Sequence, residues 1–247
     1  MATGVLSGAF GIGGAVLSTP GIRLLGASAF TAVGTTLPSI LPAAVSGTVR
    51  YAREGLVDWP AVAWTAPAGV AGAVGGSVAS HAVPGHGHWL MVLTAAIILG
   101  TAVRMSRPGK RSAAGQGRRR LPGGERPTQA GLGALAGLLS GLLGVGGGTI
   151  MLPGFTEVLG MPIQAAVATS LVCVGILAVP STVAHSVLGD IDWRFAVLLA
   201  VGVVPGARLG AAAAIRAGSR RLRLAVAFLL GAIALGYGGT ELFSALR

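Results

Sequence analysis

Charge is what this chain has least of. Only 10% of its 247 residues are Asp, Glu, Lys or Arg, the acidic residues number 7, and lysine occurs once, at Lys110. A soluble domain carries roughly a quarter charged residues, so that scarcity and a mean hydropathy of +0.78 point to a polytopic membrane protein. Cysteine is almost absent too. Cys173 alone precludes an intramolecular disulfide or a cysteine-based metal cluster, and within an apolar run it reads as a small packing residue. Nucleotide-binding signatures are missing: Lys110 is followed by Arg111 where a Walker loop needs Ser or Thr, and a dinucleotide fingerprint needs glycine where Val16 and Thr149 stand. HExxH, GxSxG and a carboxylate pair inside the apolar runs are also lacking, so no enzyme and no cofactor are expected. The first apolar run has no basic leader before it, and is expected to persist in the mature chain.

What the chain has in abundance is apolar length and glycine. Apolar runs fall at about 1–21, 29–49, 60–80, 88–105, 130–154, 162–188, 195–215 and 222–243, each close to the ~20 residues that cross hydrocarbon. Polar faces at helical spacing, which a soluble bundle would show, are missing from 29–49 and 88–103. Residues 4–21, GVLSGAFGIGGAVLSTPG, return at 137–154 as GLLSGLLGVGGGTIMLPG with half the positions identical. Beyond a one-residue insertion the match continues at an offset of 134, through Thr35/Thr169, Gly55/Gly189 and Asp58-Trp59/Asp192-Trp193. The chain is therefore an internal duplication: a first membrane repeat over 1–103, a basic linker over 104–128 and a second membrane repeat over 129–247.

Eight of the 18 basic residues lie between Arg104 and Arg126, which marks the linker as cytoplasmic rather than as a nucleic-acid surface; contact with anionic lipid is a secondary role. If all eight runs cross, the loop holding Arg216, Arg220, Arg221 and Arg223 falls outside, against the positive-inside rule. If each glycine-rich segment instead enters and returns on one side, that loop and Arg50 and Arg53 all lie inside, and Asp190 and Asp192 lie outside. The expected fold is thus an all-α integral membrane protein of two homologous four-segment repeats, inverted relative to one another, each with a re-entrant or broken glycine-rich segment.

The glycine motif supports the break. Interior glycine costs about 1 kcal/mol relative to alanine in a helix and proline removes a donor, so Gly11, Gly13 and Gly14, and Gly144, Gly146, Gly147 and Gly148, are poor continuous helix. Their freed amides must be buried in protein or face a wet cavity, where successive N–H groups suit an anion. Glycines four apart, such as Gly4/Gly8, Gly133/Gly137/Gly141, Gly72/Gly76 and Gly206/Gly210, read instead as close helix packing. Hydroxyls of Ser7 and Ser140, Thr35 and Thr36, Thr169 and Ser170 occupy equivalent places in the two halves and are candidate donors to the same anion, with bonds to their own backbone the competing use. Arg208, inside the seventh run, is a candidate positive charge, although an internal salt bridge or snorkelling suits the position equally. Arg23 and Glu157 read as interfacial, His185 as structural with a proton relay as the alternative, and His81, His86 and His88 as a solvated turn rather than a metal site.

The paired LSGAFGIGGAVLSTP and GLLSGLLGVGGGTIMLP motifs, each followed by Ala-Val-x-Thr-Thr/Ser-Leu (Ala32 to Leu37, Ala166 to Leu171) and Gly-x-x-Asp-Trp, resemble the sulfite exporter TauE/SafE family of membrane permeases. The resemblance implies a multi-pass bacterial inner-membrane permease for small sulfur-containing anions such as sulfite or sulfoacetate, working by alternating access around the two glycine loops. A passive anion channel with the same filter is the alternative. Expected partners are the anion, a coupling proton or sodium ion, the bilayer and a second copy of the chain, and not nucleic acid. Two departures stand out: Ala15 replaces a third glycine, and Met1 aligns with Ala134, so the first segment is either truncated or short.

Overall fold

A computed structural model describes residues 1–80, 125–143 and 147–245, with isolated positions between 96 and 106. Among the described residues the protein is all-α. The first half contains α1 (Ala2–Phe10), α2 (Ala15–Leu24), α3 (Ala29–Arg53) and α4 (Trp59–Ser80); the second contains α5 (Glu125–Leu143), α6 (Gly148–Pro153) with a π-helical turn over Gly154–Val158, α7 (Ile163–Val187), α8 (Trp193–Arg216) and α9 (Ser219–Ala245). Most of the fourth run, the linker up to residue 124, His81, His86, His88 and Gly144 to Gly146 lie outside the described residues. α5 begins at Glu125, ahead of the linker boundary drawn from sequence.

Among the described residues four helices, α3, α4, α7 and α8, are long and apolar enough to cross a membrane. At about 1.5 Å per residue, the 25-residue α3 and α7 extend roughly 37 Å against roughly 30 Å of hydrocarbon. Pro38 and Pro42 in α3, Pro67 in α4, Pro180 in α7 and Pro205 in α8 all lie within helices. Neighbouring helices make such interruptions tolerable in an apolar medium.

The repeated Gly-x-x-Asp-Trp is a turn-and-cap device. Gly55 and Gly189 take the left-handed conformation (φ 66° and 78°) that ends the preceding long helix. Three residues later an aspartate caps the next one. Asp58 Oδ1 accepts from the Ala61 amide at 3.1 Å, and Asp192 Oδ1 accepts from Arg194 at 3.0 Å and Phe195 at 3.4 Å.

Between halves, equivalent residues make equivalent contacts. The Thr35 hydroxyl accepts from the Asp192 amide at 2.9 Å, and the Thr169 hydroxyl accepts from the Asp58 amide at 3.0 Å. Because Asp192 follows the C-terminus of α7 while Thr35 stands near the N-terminus of α3, the two helices run antiparallel. Gly34 lies against Asp190, Gly175 against Ala44 and Gly47 against Leu171, in the same sense.

The small-residue spacings pair helices across the halves. Gly4 and Gly8 of α1 lie on the backbone of Val203 and Ala207 in α8, while Gly133 and Gly137 of α5 lie on Thr65 and Gly69 in α4. Each pair is parallel, and a methyl group at any of these glycines would overlap the partner's carbonyl. α8 also runs alongside α3, with Gly34 near Asp190 and the Ser46 hydroxyl donating to the Val204 carbonyl at 2.9 Å. Arg50, Arg53 and Arg216, at the C-termini of α3 and α8, therefore share one end of the molecule, and Asp190 and Asp192 mark the other.

Candidate functional site

Both glycine motifs interrupt helices. α1 stops at Phe10, Gly11 and Gly13 take φ 65° and 74°, and α2 resumes at Ala15. In the second half α5 is described as far as Leu143, and α6 starts at Gly148 with Gly147 at its cap.

At each interruption the chain reverses. Tyr51 donates its hydroxyl to the Gly8 carbonyl at 2.7 Å, so α1 ends beside the C-terminal part of α3. Gly13 then lies between Ile40 and Val174, and Thr19 Oγ1 meets Thr36 Oγ1 at 3.2 Å, so α2 climbs back toward the N-terminus of α3. The second motif behaves alike: Gly147 lies against Ala136 and Gly154 against Leu132, which returns the chain along α5.

The two breaks touch. A Cβ on Gly148 would stand 2.6 Å from the Gly11 carbonyl oxygen and 2.7 Å from Ile12 Cα. Gly11 also packs on the Val167 backbone, and its carbonyl accepts the Ser170 hydroxyl at 2.8 Å. Ile40 and Val174 are equivalent positions of the duplication near the midpoints of α3 and α7, so Gly13, wedged between them, sits about halfway along both helices.

The structure separates the sequence candidates. Gly11, Gly13, Gly14, Gly147, Gly148, Ser7 and Ser170 gather at the breaks, with the Ser7 Cβ 3.8 Å from where a Gly14 side chain would begin. Ser7 is 1% exposed, and among the described residues its hydroxyl oxygen has no hydrogen-bond partner. Ser140 is buried near the end of α5, next to Gly141, which lies on Ala73 and Ser77 of α4. Thr36 donates to the Val33 carbonyl at 2.9 Å besides meeting Thr19, and Thr35 and Thr169 serve the inter-half bonds to Asp192 and Asp58. Arg208 is exposed on α8, next to Ala207, whose backbone carries Gly8 of α1. Gly144 and Gly146 lie outside the described residues.

Three residues enter that the motifs did not single out. Tyr51 is fully buried, and because His185 replaces it in the second half the repeat alignment gave it no weight. Thr19 lies within the first motif but is matched by Leu152. Asp190 receives His185, whose Nδ1 lies 2.9 Å from its Oδ2 in a partly buried pair at the end of α7.

Comparison with known proteins gives a family match over nearly the whole chain: the model described as sulfite exporter TauE/SafE covers residues 1–237. A probable membrane transporter protein of Xylella fastidiosa (strain 9a5c) is 28% identical over 226 residues, which is 86% of this chain and 81% of that protein. The probable membrane transporter protein YunE of Bacillus subtilis (strain 168) is 36% identical over 78 residues, which is 32% of this chain and 29% of that protein. No solved structure matches.

Proposed function

The chain belongs to the sulfite exporter TauE/SafE family of membrane transporters, and on that premise we propose that it is a multi-pass permease of the bacterial inner membrane carrying small sulfur-containing anions. Sulfite and sulfoacetate are the model substrates. The two halves act as inverted repeats, each with a re-entrant helical hairpin bent at its glycine motif, and they rock about the point where the bends meet. A proton or sodium gradient drives the cycle.

The observation that carries this reading is the position of Gly13, between Ile40 and Val174 at the middle of two antiparallel helices. Helices of that length bring their midpoints near the bilayer centre, where irregular backbone persists only if buried in protein or lining a cavity. Amide N–H groups released there present positive dipole ends without bringing a full charge into hydrocarbon. The clustering of Arg50, Arg53 and Arg216 at one end, away from Asp190 and Asp192, supports a cytoplasmic basic face and hence hairpins that return to the side they came from.

Gly147→Val tests the cradle. A Cβ there already stands 2.8 Å from the Ala136 carbonyl, so a branched side chain displaces the loop from α5. The variant is expected to insert and lose sulfite flux in proteoliposomes; normal flux would remove the glycine loops from the mechanism.

A further inference from the structure

At each end of the molecule a hydrogen bond joins the two halves. Beyond the end of α7 the Asp192 amide donates to Thr35 of α3 at 2.9 Å, and beyond the end of α3 the Asp58 amide donates to Thr169 of α7 at 3.0 Å. Because α3 and α7 run antiparallel, these equivalent bonds lie at opposite ends, and both are formed.

Titration distinguishes the two ends. Just ahead of Asp192, His185 Nδ1 lies 2.9 Å from Asp190 Oδ2, and the Asp190 amide donates to the His185 carbonyl at 3.0 Å. The His185 side chain is 1% exposed and that of Asp190 14%, so the carboxylate is the part of the pair that reaches water. Their turn presses on the other half: a Cβ on Gly34 of α3 would stand 2.6 Å from the Asp190 carbonyl oxygen and 2.9 Å from its Cβ. In the first half the equivalent positions hold Tyr51 and Leu56, and neither changes charge near neutral pH. Charged neighbours are few. α3 has none before Arg50, α4 has none, and α5 has none after Arg126. The basic residues on elements that reach this end are Arg194, exposed in the first turn of α8, and Arg23, one residue before the end of α2.

We propose that the His185–Asp190 pair binds the coupling proton and controls the bond between Asp192 and Thr35. The proposal rests on the transporter reading above and names the proton as the driving ion. With the proton bound, imidazolium and carboxylate carry no net charge together, which suits a turn packed on the apolar start of α3. Without it one negative charge remains, and burying a net charge costs more than burying a neutral pair. Release of the proton to the water beside Asp190 therefore loosens the turn from Gly34 and Thr35. The next residue, Thr36, meets Thr19 of α2 at 3.2 Å, so the change reaches the returning arm of the first glycine hairpin. Since Tyr51 and Leu56 stand at the equivalent places, the proton acts on one end of the molecule and not on both.

The test is radiolabelled sulfite uptake by the full-length protein in proteoliposomes, expressed as the ratio of rates with and without an imposed pH gradient, and again with a sodium gradient. Wild type, His185→Gln and Asp190→Asn are compared, and the ionisation of sulfite itself is common to all three. The pH gradient is expected to accelerate the wild type about fivefold or more, the lower end of coupling between two sites, and the sodium gradient is expected to have no effect. In both variants the acceleration by pH is expected to disappear. A pair with a merely structural role would lower both rates alike and keep their ratio, which overturns the proposal. Wild-type flux that ignores the pH gradient, or answers sodium alone, also overturns it and leaves the transporter reading standing. Should His185→Gln fail to insert, Asp190→Asn decides alone. For variants that insert but carry nothing, melting in detergent decides: the wild type is expected to gain on the variant as the pH falls from about 8 to about 5, and a difference that stays constant overturns the proposal. His81, His86 and His88 are common to all the proteins compared. A wild type that carries no sulfite, thiosulfate or sulfoacetate removes the transporter reading itself and the proposal with it.

Discussion

Gly148→Ala separates two expectations at one position. The duplication aligns Gly148 with Ala15, so by sequence a methyl group is already accepted at the equivalent site. The structure says otherwise: the new Cβ would lie 2.6 Å from the Gly11 carbonyl oxygen and 2.7 Å from Ile12 Cα. Carbon contacts are comfortable at about 3.5–4.0 Å, so the two breaks must part by roughly 1 Å. Both obstructing atoms are backbone, and the Gly11 carbonyl is held by Ser170. Overpacking of this kind costs about 1–3 kcal/mol, and alanine recovers up to about 1 kcal/mol over glycine within a helix. Stability therefore falls by no more than about 3 kcal/mol. Flux suffers far more, since a displacement of about 1 Å in a preorganised site can reduce its rate about a hundredfold. The assay is the initial rate of sulfite uptake per inserted protein, with melting in detergent as the fold check. Gly75→Ala, where nothing lies within 4 Å, is the control and should match the wild type. Wild-type flux in Gly148→Ala would refute the claim that the two breaks form one site.

Other perturbations follow from the same contacts. Thr35→Val and Thr169→Val each leave a capping amide without its acceptor and should each cost about 1–2 kcal/mol in denaturant titrations, whereas the serine variants lose little. Equal losses at the two sites, adding in the double variant, are expected from their equivalent geometry; an effect at only one would show that the bonds are not equivalent. Arg208→Gln, at a position exposed off the packed face of α8, should leave KM for sulfite close to wild type, since the neighbouring Ala207 and not Arg208 is what carries Gly8 of α1; a large rise in KM would bring Arg208 into the site. Gly218→Cys, in the loop between α8 and α9, should resist a membrane-impermeant thiol reagent applied from outside. Cys173 is buried and contributes little background, and ready labelling of Gly218→Cys would restore a topology in which every apolar run crosses.

Much of the architecture is legible in the sequence because hydrocarbon imposes few solutions. The runs at 29–49, 60–80, 162–188 and 195–215 become α3, α4, α7 and α8 almost in place, since about 20 apolar residues have little choice but a helix there. α3 runs past its apolar stretch to Arg53, where Arg50 and Glu54 pair at 3.2 Å one turn apart. The breaks at Gly11 to Gly14 and before Gly148 follow from the cost of glycine in a helix. Partner choice does not follow. Four-residue glycine spacing says that α1 and α5 pack closely, but not that α1 takes α8 and α5 takes α4 from the opposite halves.

The site is less legible than the fold for the same reason. A hydroxyl both donates and accepts, so Thr35 and Thr169 read as donors to an anion while each also accepts an amide from across the interface. Tyr51 gives no repeat signal at all, because its counterpart is histidine. Its importance rests on one long-range bond to Gly8 that only the folded chain brings together.

The most direct measurement is flux of sulfite, thiosulfate and sulfoacetate through the purified protein in proteoliposomes, with pH and sodium gradients imposed separately and planar-bilayer recordings in parallel. Alternating access around the joined glycine breaks predicts saturable flux that accelerates with one of the gradients and shows no unitary currents. Non-saturating flux with discrete single-channel conductance would contradict it and make the same breaks the filter of a passive anion channel.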